Sequence, residues 1–215
     1  MIKRADATED WKLIDSLRGF ANSLEPNESI AEETGNNSDF TFSSTGFQIG
    51  DTHGDYNASG GTYIYWAVAK NVPSNTTLAS SFNAVFYAGS GSSREINNFG
   101  FRPDFVWIKR LSSSASHSWT DAVRGDDLVL QSNETSAEAT GQINLIADGI
   151  KIRNDNALRN TYGDSYIAWG FKAGNTWQSN VDGSIPSVVN ANTANGFSII
   201  KYTGTSASSQ SVGHG

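Results

Sequence analysis

Much of this 215-residue chain is written twice, and that constrains its fold more than any other feature. Ile2-Lys3-Arg4 recurs 106 residues later as Ile108-Lys109-Arg110. At the same spacing Asp15-Ser16-Leu17-Arg18-Gly19 returns as Asp121-Ala122-Val123-Arg124-Gly125, and Asn27-Glu28-Ser29 as Asn133-Glu134-Thr135. The spacing then falls to 103. Gly46-Phe47-Gln48-Ile49 matches Gly149-Ile150-Lys151-Ile152, Asn57 matches Asn160, and Tyr63-Ile64-Tyr65-Trp66 matches Tyr166-Ile167-Ala168-Trp169. A loop three residues shorter in the second copy accounts for the drop. A further echo, Phe86-Tyr87-Ala88-Gly89 with Lys201-Tyr202-Thr203-Gly204, lies 115 residues apart. Matches this numerous and in one order indicate duplication of a folding unit.

The order of the pieces suggests that the ends cut through the repeat. Met1 aligns with Trp107, in mid-strand, and the run from Phe197 to Gly215 aligns with about Phe82 to Asn98. A fragment of a longer repeat protein is therefore expected. Residues 1–70 read as a first copy without its N-terminal strand, 71–81 as a linker and 82–173 as a second copy. Residues 174–195 read as another linker, and 196–215 as the start of a further copy.

The repeat unit reads as β-structure. In Gly149 to Arg153, Ile150 and Ile152 alternate with Lys151 and Arg153, the period-2 pattern of a strand with one buried face. Ile167, Trp169 and Phe171 share a face, and Ile64, Trp66 and Val68 share the matching one; core packing is the expectation for these, Trp66 and Trp169 included. Asx- and Gly-rich turns separate the strands. Only Ser29–Thr34 and Ser136–Thr140 read as locally helical, each about one turn. Strands at this spacing predict an antiparallel β-sandwich of jelly-roll type.

Composition closes off several functions. With a net charge of -7 and no basic cluster beyond Lys109-Arg110, the chain lacks the cationic face that nucleic acids or anionic membranes require. Cysteine is absent, so disulfides, thiol catalysis and thiolate metal sites are excluded. No apolar run approaches the roughly 18 residues of a membrane span, and, with no apolar stretch after Met1-Ile2-Lys3-Arg4, no signal peptide is expected.

The singled-out residues weigh mostly toward structure. Asp15-x-x-Arg18 and Asp121-x-x-Arg124 read as duplicated structural ion pairs. Trp107 reads as core. Trp11 and Trp119 adjoin polar runs and are candidates for stacking on a sugar ring. The loops Asp51 to Asn57 and Asn154 to Asn160 are the expected recognition surface, with Asp55, Asn57, Asp155, Asn156 and Asn160 as candidate glycan contacts. Neither loop fits a twelve-residue calcium loop. His53, His117 and His214 show no ligand spacing, no Gly-x-Ser-x-Gly elbow occurs, and Glu32, Glu33 and Glu138 are carboxylates that could be nominated for glycoside hydrolysis. No enzyme, no metal and no cofactor is expected.

Four stretches carry a resemblance: Gly100-Phe101-Arg102-Pro103-Asp104-Phe105-Val106-Trp107-Ile108-Lys109-Arg110; Trp119 with Asp121 to Gly125; Asn57 to Tyr65; and Tyr202-Thr203-Gly204-Thr205 leading to Gly213-His214-Gly215. Together they resemble repeats of bacteriophage structural proteins, notably tail-fibre and appendage proteins of marine phages. The resemblance implies a concanavalin-A-like, lectin-type sandwich, a place on the virion surface, homo-oligomers with other virion proteins, and contact with a host cell-surface glycan. It carries no catalytic residues. In that family the Gly-His-Gly runs on into a Pro-containing strand, which again implies a longer protein. A lectin-like carbohydrate-binding module outside a virion, or a polysaccharide-degrading enzyme, would be the other readings of such a sandwich.

Overall fold

The computed structural model describes residues 1–35, 40–68, 81–154, 156–194 and 196–215. The chain is all-β with antiparallel sheets. In the first half run β1 (Ile2–Arg4), β2 (Asn22–Ser23), β3 (Glu33–Thr34), β4 (Thr41–Ser43), β5 (Gly46–Gln48), the one-turn α1 (Gly54–Asn57) and β6 (Tyr63–Tyr65). The second half runs through β7 (Phe82–Ala88), β8 (Arg94–Ile96), β9 (Phe105–Arg110), β10 (Ser118–Asp121), β11 (Gly125–Leu130), β12 (Ala139–Thr140), β13 (Ile143–Ile146), β14 (Gly149–Ile152) and β15 (Ser165–Phe171). Last come β16 (Gln178–Asn180), β17 (Ser187–Asn192) and β18 (Phe197–Tyr202). No helix of the described residues is long and apolar enough to cross a membrane.

The second half encloses a core between two antiparallel sheets, one ordered β12-β11-β10-β9-β15-β7 and one ordered β13-β14-β8. Period-2 alternation decides which side chains enter it. Val106, Ile108, Tyr166 and Ala168 point in from the large sheet and meet Ile96, Ile143, Leu145, Ile150 and Ile152 from the small one. Lys151 and Arg153 point outward, as the pattern requires; Lys151 meets Glu95 and Arg153 meets Asp127. Gly149 opens β14 at φ +151°, where a Cβ would lie 2.0 Å from the carbonyl oxygen of Ile96. Only glycine lets β14 come that close to β8.

The first half pairs its strands in the same register. Ile2↔Tyr65 and Arg4↔Tyr63 in β1–β6 correspond to Ile108↔Ala168 and Arg110↔Tyr166 in β9–β15. Phe42↔Phe47 in β4–β5 corresponds to Leu145↔Ile150, and Asn22↔Thr34 in β2–β3 to Leu128↔Thr140. Both spacings, 106 and 103, hold at the level of single residue pairs, so the three-residue difference is absorbed between β3 and β4. A small separate core forms here from Ile2, Ile14, Phe40 and Tyr56.

The halves are not beads on a string. Leu24, Met1 and Leu13 of the first half pack on the outward face of the large sheet, against Trp107, Trp169, Leu111, Ile167 and Phe171. Polar contacts close the seam: the buried Lys109 ammonium donates to the carbonyls of Ser29, Ile30 and Ala115, and Ser132 Oγ donates to the carbonyl of Pro26.

Three expectations need correction. Neither Ser29–Thr34 nor Ser136–Thr140 is helical; each ends in a strand, β3 or β12. A single helical turn is costly to nucleate, and here the Ser29 and Ile30 carbonyls are taken by Lys109 and the Glu32 and Glu138 carboxylates by arginines. Residues 174–195 are not a bare linker, because they carry β16 and β17, which form a sheet ordered β16-β17-β18. Pro186 stands just outside β17, so its missing N–H costs no ladder bond. Of the 71–81 linker, only residue 81 lies among the described residues. Finally, Trp66 is not core like Trp169. It is 45% exposed against 3%, and Ile64 and Val68 are exposed with it. The outward face of β15 is covered by the first half, whereas Trp66 stacks on the ring of Phe171, at 6.0 Å.

Candidate functional site

The polar constellations of the sequence fall into three groups. In the first, Arg18 and Arg124 each form the same clamp. Asp15 Oδ1 accepts from the backbone N–H groups of Leu17 and Arg18, and its Oδ2 takes Arg18 Nε at 2.6 Å. Nη1 reaches Glu32 at 3.1 Å, and Nη2 donates to the carbonyl of Leu13. Arg124 repeats this with Asp121, Glu138 and the carbonyl of Trp119. Planar guanidinium geometry suits this division among two carboxylates and a carbonyl. The two clamps differ in setting. Arg18 is sealed, its side chain 0% exposed, with the guanidinium 5.7 Å from the centre of the Trp169 ring, whereas Arg124 retains some access to solvent. Each clamp engages three of the five N–H donors of its guanidinium.

The second group is the pair of Asx loops. The carbonyl of His53 accepts the N–H of Asn57, and the carbonyl of Asn156 accepts that of Asn160, both at 2.8 Å. The side chains of His53 and Asn156 cap the turn by accepting from the N–H of Asp55 and Leu158, the ordinary use of such residues at a turn start. A tyrosine staples each loop to its strand: Tyr63 Oη donates to Gly54 O and accepts from Ala58 N, while Tyr166 Oη donates to Ala157 O and accepts from Thr161 N. Tyr166→Phe removes both bonds and is expected to cost about 1–2 kcal/mol, read as a lower urea midpoint with an unchanged slope. An unchanged midpoint would show that the staple does not hold the loop.

These contacts consume most of the candidate glycan ligands. Asn160 is fully buried. Its Oδ1 accepts from Ser90 N and Ser90 Oγ, and its Nδ2 donates to Ser92 O and Asn154 O, which fills the capacity of an amide side chain. Asn57 is exposed and donates to the carbonyl of Asp51. Asn156 is half-buried as a cap. Asp155 lies outside the described residues. Asp55 is buried and turned inward to Lys12, at 3.2 Å.

That ion pair belongs to the third group, which sequence spacing did not reveal. The Lys12 ammonium is enclosed by Glu25 at 2.5 Å, Glu33 at 2.6 Å and Asp55 at 3.2 Å. Burial opposes its charge, yet the carboxylates of Glu25 and Glu33 outweigh burial and hold it above the ordinary lysine value. Burial raises Glu25 above the usual carboxylate range against the pull of Lys12; three carboxylates around one ammonium leave net negative charge that favours a retained proton. In the second half Ser118 stands at the position of Lys12, and Arg159 reaches it from the opposite loop at 3.1 Å. The buried polar site is thus kept while its charges are rearranged. No cluster of the described residues has the composition of a metal site.

The tryptophan candidates differ in surroundings. Trp11 is half-buried, with its backbone N–H bonded to Asn27 Oδ1. Trp119 is half-buried and meets Phe105 and Trp107 edge-on. Two open aromatic rings in loops were not singled out from sequence: Tyr162 is 82% exposed, on the loop after Asn160, and Trp177 is 63% exposed, just before β16. Exposure of a lone aromatic in a loop leaves no periodic trace, which is why pattern reading passed them by.

A known family covers both halves of this arrangement: the domain of unknown function DUF7483 matches residues 1–72 and 78–215. The chain belongs to this family. No curated protein and no solved structure matches it. The DUF7483 match spans the Arg18 and Arg124 clamps, the Tyr63 and Tyr166 staples and the β16-β17-β18 sheet alike.

Proposed function

We propose that this chain is a structural component of a bacteriophage virion, part of a tail fibre, appendage or surface decoration, built from tandem jelly-roll-type, concanavalin-A-like units. It works in homo-oligomers beside other virion proteins at the particle surface. The observation carrying this reading is that the features shared by the two halves resolve into framework: matched registers, matched Arg clamps, matched Tyr staples. Such a pattern suits a unit repeated for its shape. The resemblance of Gly100 to Arg110 and Gly213-His214-Gly215 to phage appendage repeats supplies the virion setting. Cryo-electron microscopy of particles labelled with antibody to this chain tests it. Label on a fibre or projection is the expected result, and unlabelled particles from a culture that makes the protein would overturn it.

Host-surface adhesion through a glycan is a second role, favoured by the open rings of Tyr162 and Trp177, since flat exposed aromatics suit sugar faces. Binding to host surface polysaccharide should fall at least tenfold for Trp177→Ala or Tyr162→Ala and stay unchanged for the clamp variant Arg124→Lys. The same assay with Trp119→Ala checks the ring nominated from sequence. Binding that ignores all three rings would remove the adhesion role.

A further inference from the structure

Strand β6 has one edge bonded to β1, and no described strand lies along the other. That open edge is apolar: Ile64, Tyr65, Trp66 and Val68 are 57%, 66%, 45% and 40% exposed. It borders a cleft of about 550 Å³ lined by Phe42, Phe47, Trp66, Phe82 and Phe171. Nothing in Tyr63 to Val68 blunts the edge, because no proline or charge interrupts it. Such an edge is a template for another strand.

The second half shows what strand fits. At the corresponding place β7 pairs along the full length of β15, from Phe82↔Phe171 to Ala88↔Ser165. The chain holds a second strand of the β7 type. β18 repeats Phe82, Tyr87 and Gly89 as Phe197, Tyr202 and Gly204, 115 residues on. One edge of β18 is bonded to β17, and no described strand lies along the other.

We infer that β18 of one molecule adds to the β6 edge of a second copy, joining copies head to tail. The β7–β15 register sets the pairing. Tyr166↔Tyr87, Ile167↔Phe86 and Ala168↔Val85 become Tyr63↔Tyr202, Ile64↔Lys201 and Tyr65↔Ile200 between molecules. Different surfaces meet on the two partners, so the contact is heterologous and propagates into an open chain unless its rotation closes a ring. The inference stands on strand pairing and is independent of the virion reading.

The absence of cysteine makes a direct test simple. Ile64 and Lys201 are exposed, so the double variant Ile64→Cys, Lys201→Cys should fold. Directly opposed Cβ atoms in an antiparallel pair lie within reach of a disulfide. Under mild oxidation the expected product is a ladder of dimers, trimers and longer species on non-reducing gels, with Ile64→Cys, Ser208→Cys giving at least tenfold less. Sedimentation of the unmodified chain should show a mass that rises with concentration. Ile64→Lys, which sets two ammonium groups opposite each other, should weaken association roughly threefold to tenfold relative to Ile64→Glu. A monomer at all concentrations, a disulfide closed within one chain, a dimer from Ile64→Cys alone, or equal ladders from both pairs would each overturn the inference.

Discussion

Trp169→Ala is expected to cost about 3–5 kcal/mol, while Trp66→Ala, 103 residues earlier in a matching sequence stretch, is expected to cost under about 1 kcal/mol. Trp169 is 3% exposed, packs edge-on against Trp107 at 5.4 Å, and donates its indole N–H to Asp15 at 3.3 Å. Its removal opens a cavity at the seam, strips Arg18 of its ring, and leaves the half-buried carboxylate of Asp15 one donor short. Trp66 loses one stacked contact and some exposed surface. Urea unfolding of both variants at low protein concentration decides this. Equal costs would mean that the seam around Trp107 and Trp169 does not hold the halves together. Because the seam is shared, wild-type unfolding should also be a single transition.

Acid should loosen the same seam through His117. This side chain is fully buried, and its Nδ1 accepts the indole N–H of Trp107 at 2.7 Å. An indole nitrogen can only donate, so the proton of the neutral ring sits on Nε2, which faces the carbonyl of Glu25 at 3.1 Å. Desolvation, with the Lys109 ammonium and more weakly Arg18, pushes the pKa down to about 4, against the upward pull of the backbone carbonyls of Glu25 and Glu28. The unfolded chain takes up this proton near the ordinary histidine value of 6.5. Between the two values the unfolded state binds more protons, so stability is full above pH 6.5 and falls as pH drops toward 4. A depression of that size corresponds to about 3 kcal/mol, of which about 2 kcal/mol is lost by pH 5. Stability against pH, compared between wild type and His117→Gln, isolates the contribution: the variant should lack most of the slope between pH 6.5 and 5. Matching slopes would show that His117 is not held neutral.

The strand architecture was legible because it is periodic and repeated. Ile150 and Ile152 against Lys151 and Arg153 set the faces of β14 without tertiary help, and the 106 and 103 spacings reappear as matching registers because a one-residue slip would turn every side chain to the wrong face. The Asp15–Arg18 and Asp121–Arg124 pairs were legible for a similar local reason: three residues apart at a turn, each pair closes within its own loop.

Tertiary structure alone decided the rest, since burial is a property of the neighbour and not of the residue. Trp66 and Trp169 lie 103 residues apart in matching sequence stretches, but Trp169 is enclosed by the first half at 3% exposure while Trp66 is 45% exposed. Asn160 and Asn57 are one residue type in one turn, yet the Ser90 to Ser92 segment reaches Asn160 and, with the carbonyl of Asn154, fills its hydrogen-bonding capacity. Lys12, Glu25, Glu33 and Asp55 lie far apart in sequence and meet only because β1, β2, β3 and α1 converge. The helical turns read at Ser29–Thr34 and Ser136–Thr140 failed for the same reason: their preference is worth a few tenths of a kcal/mol per residue, and carbonyls drawn to the buried Lys109 and carboxylates drawn to Arg18 and Arg124 outweigh it.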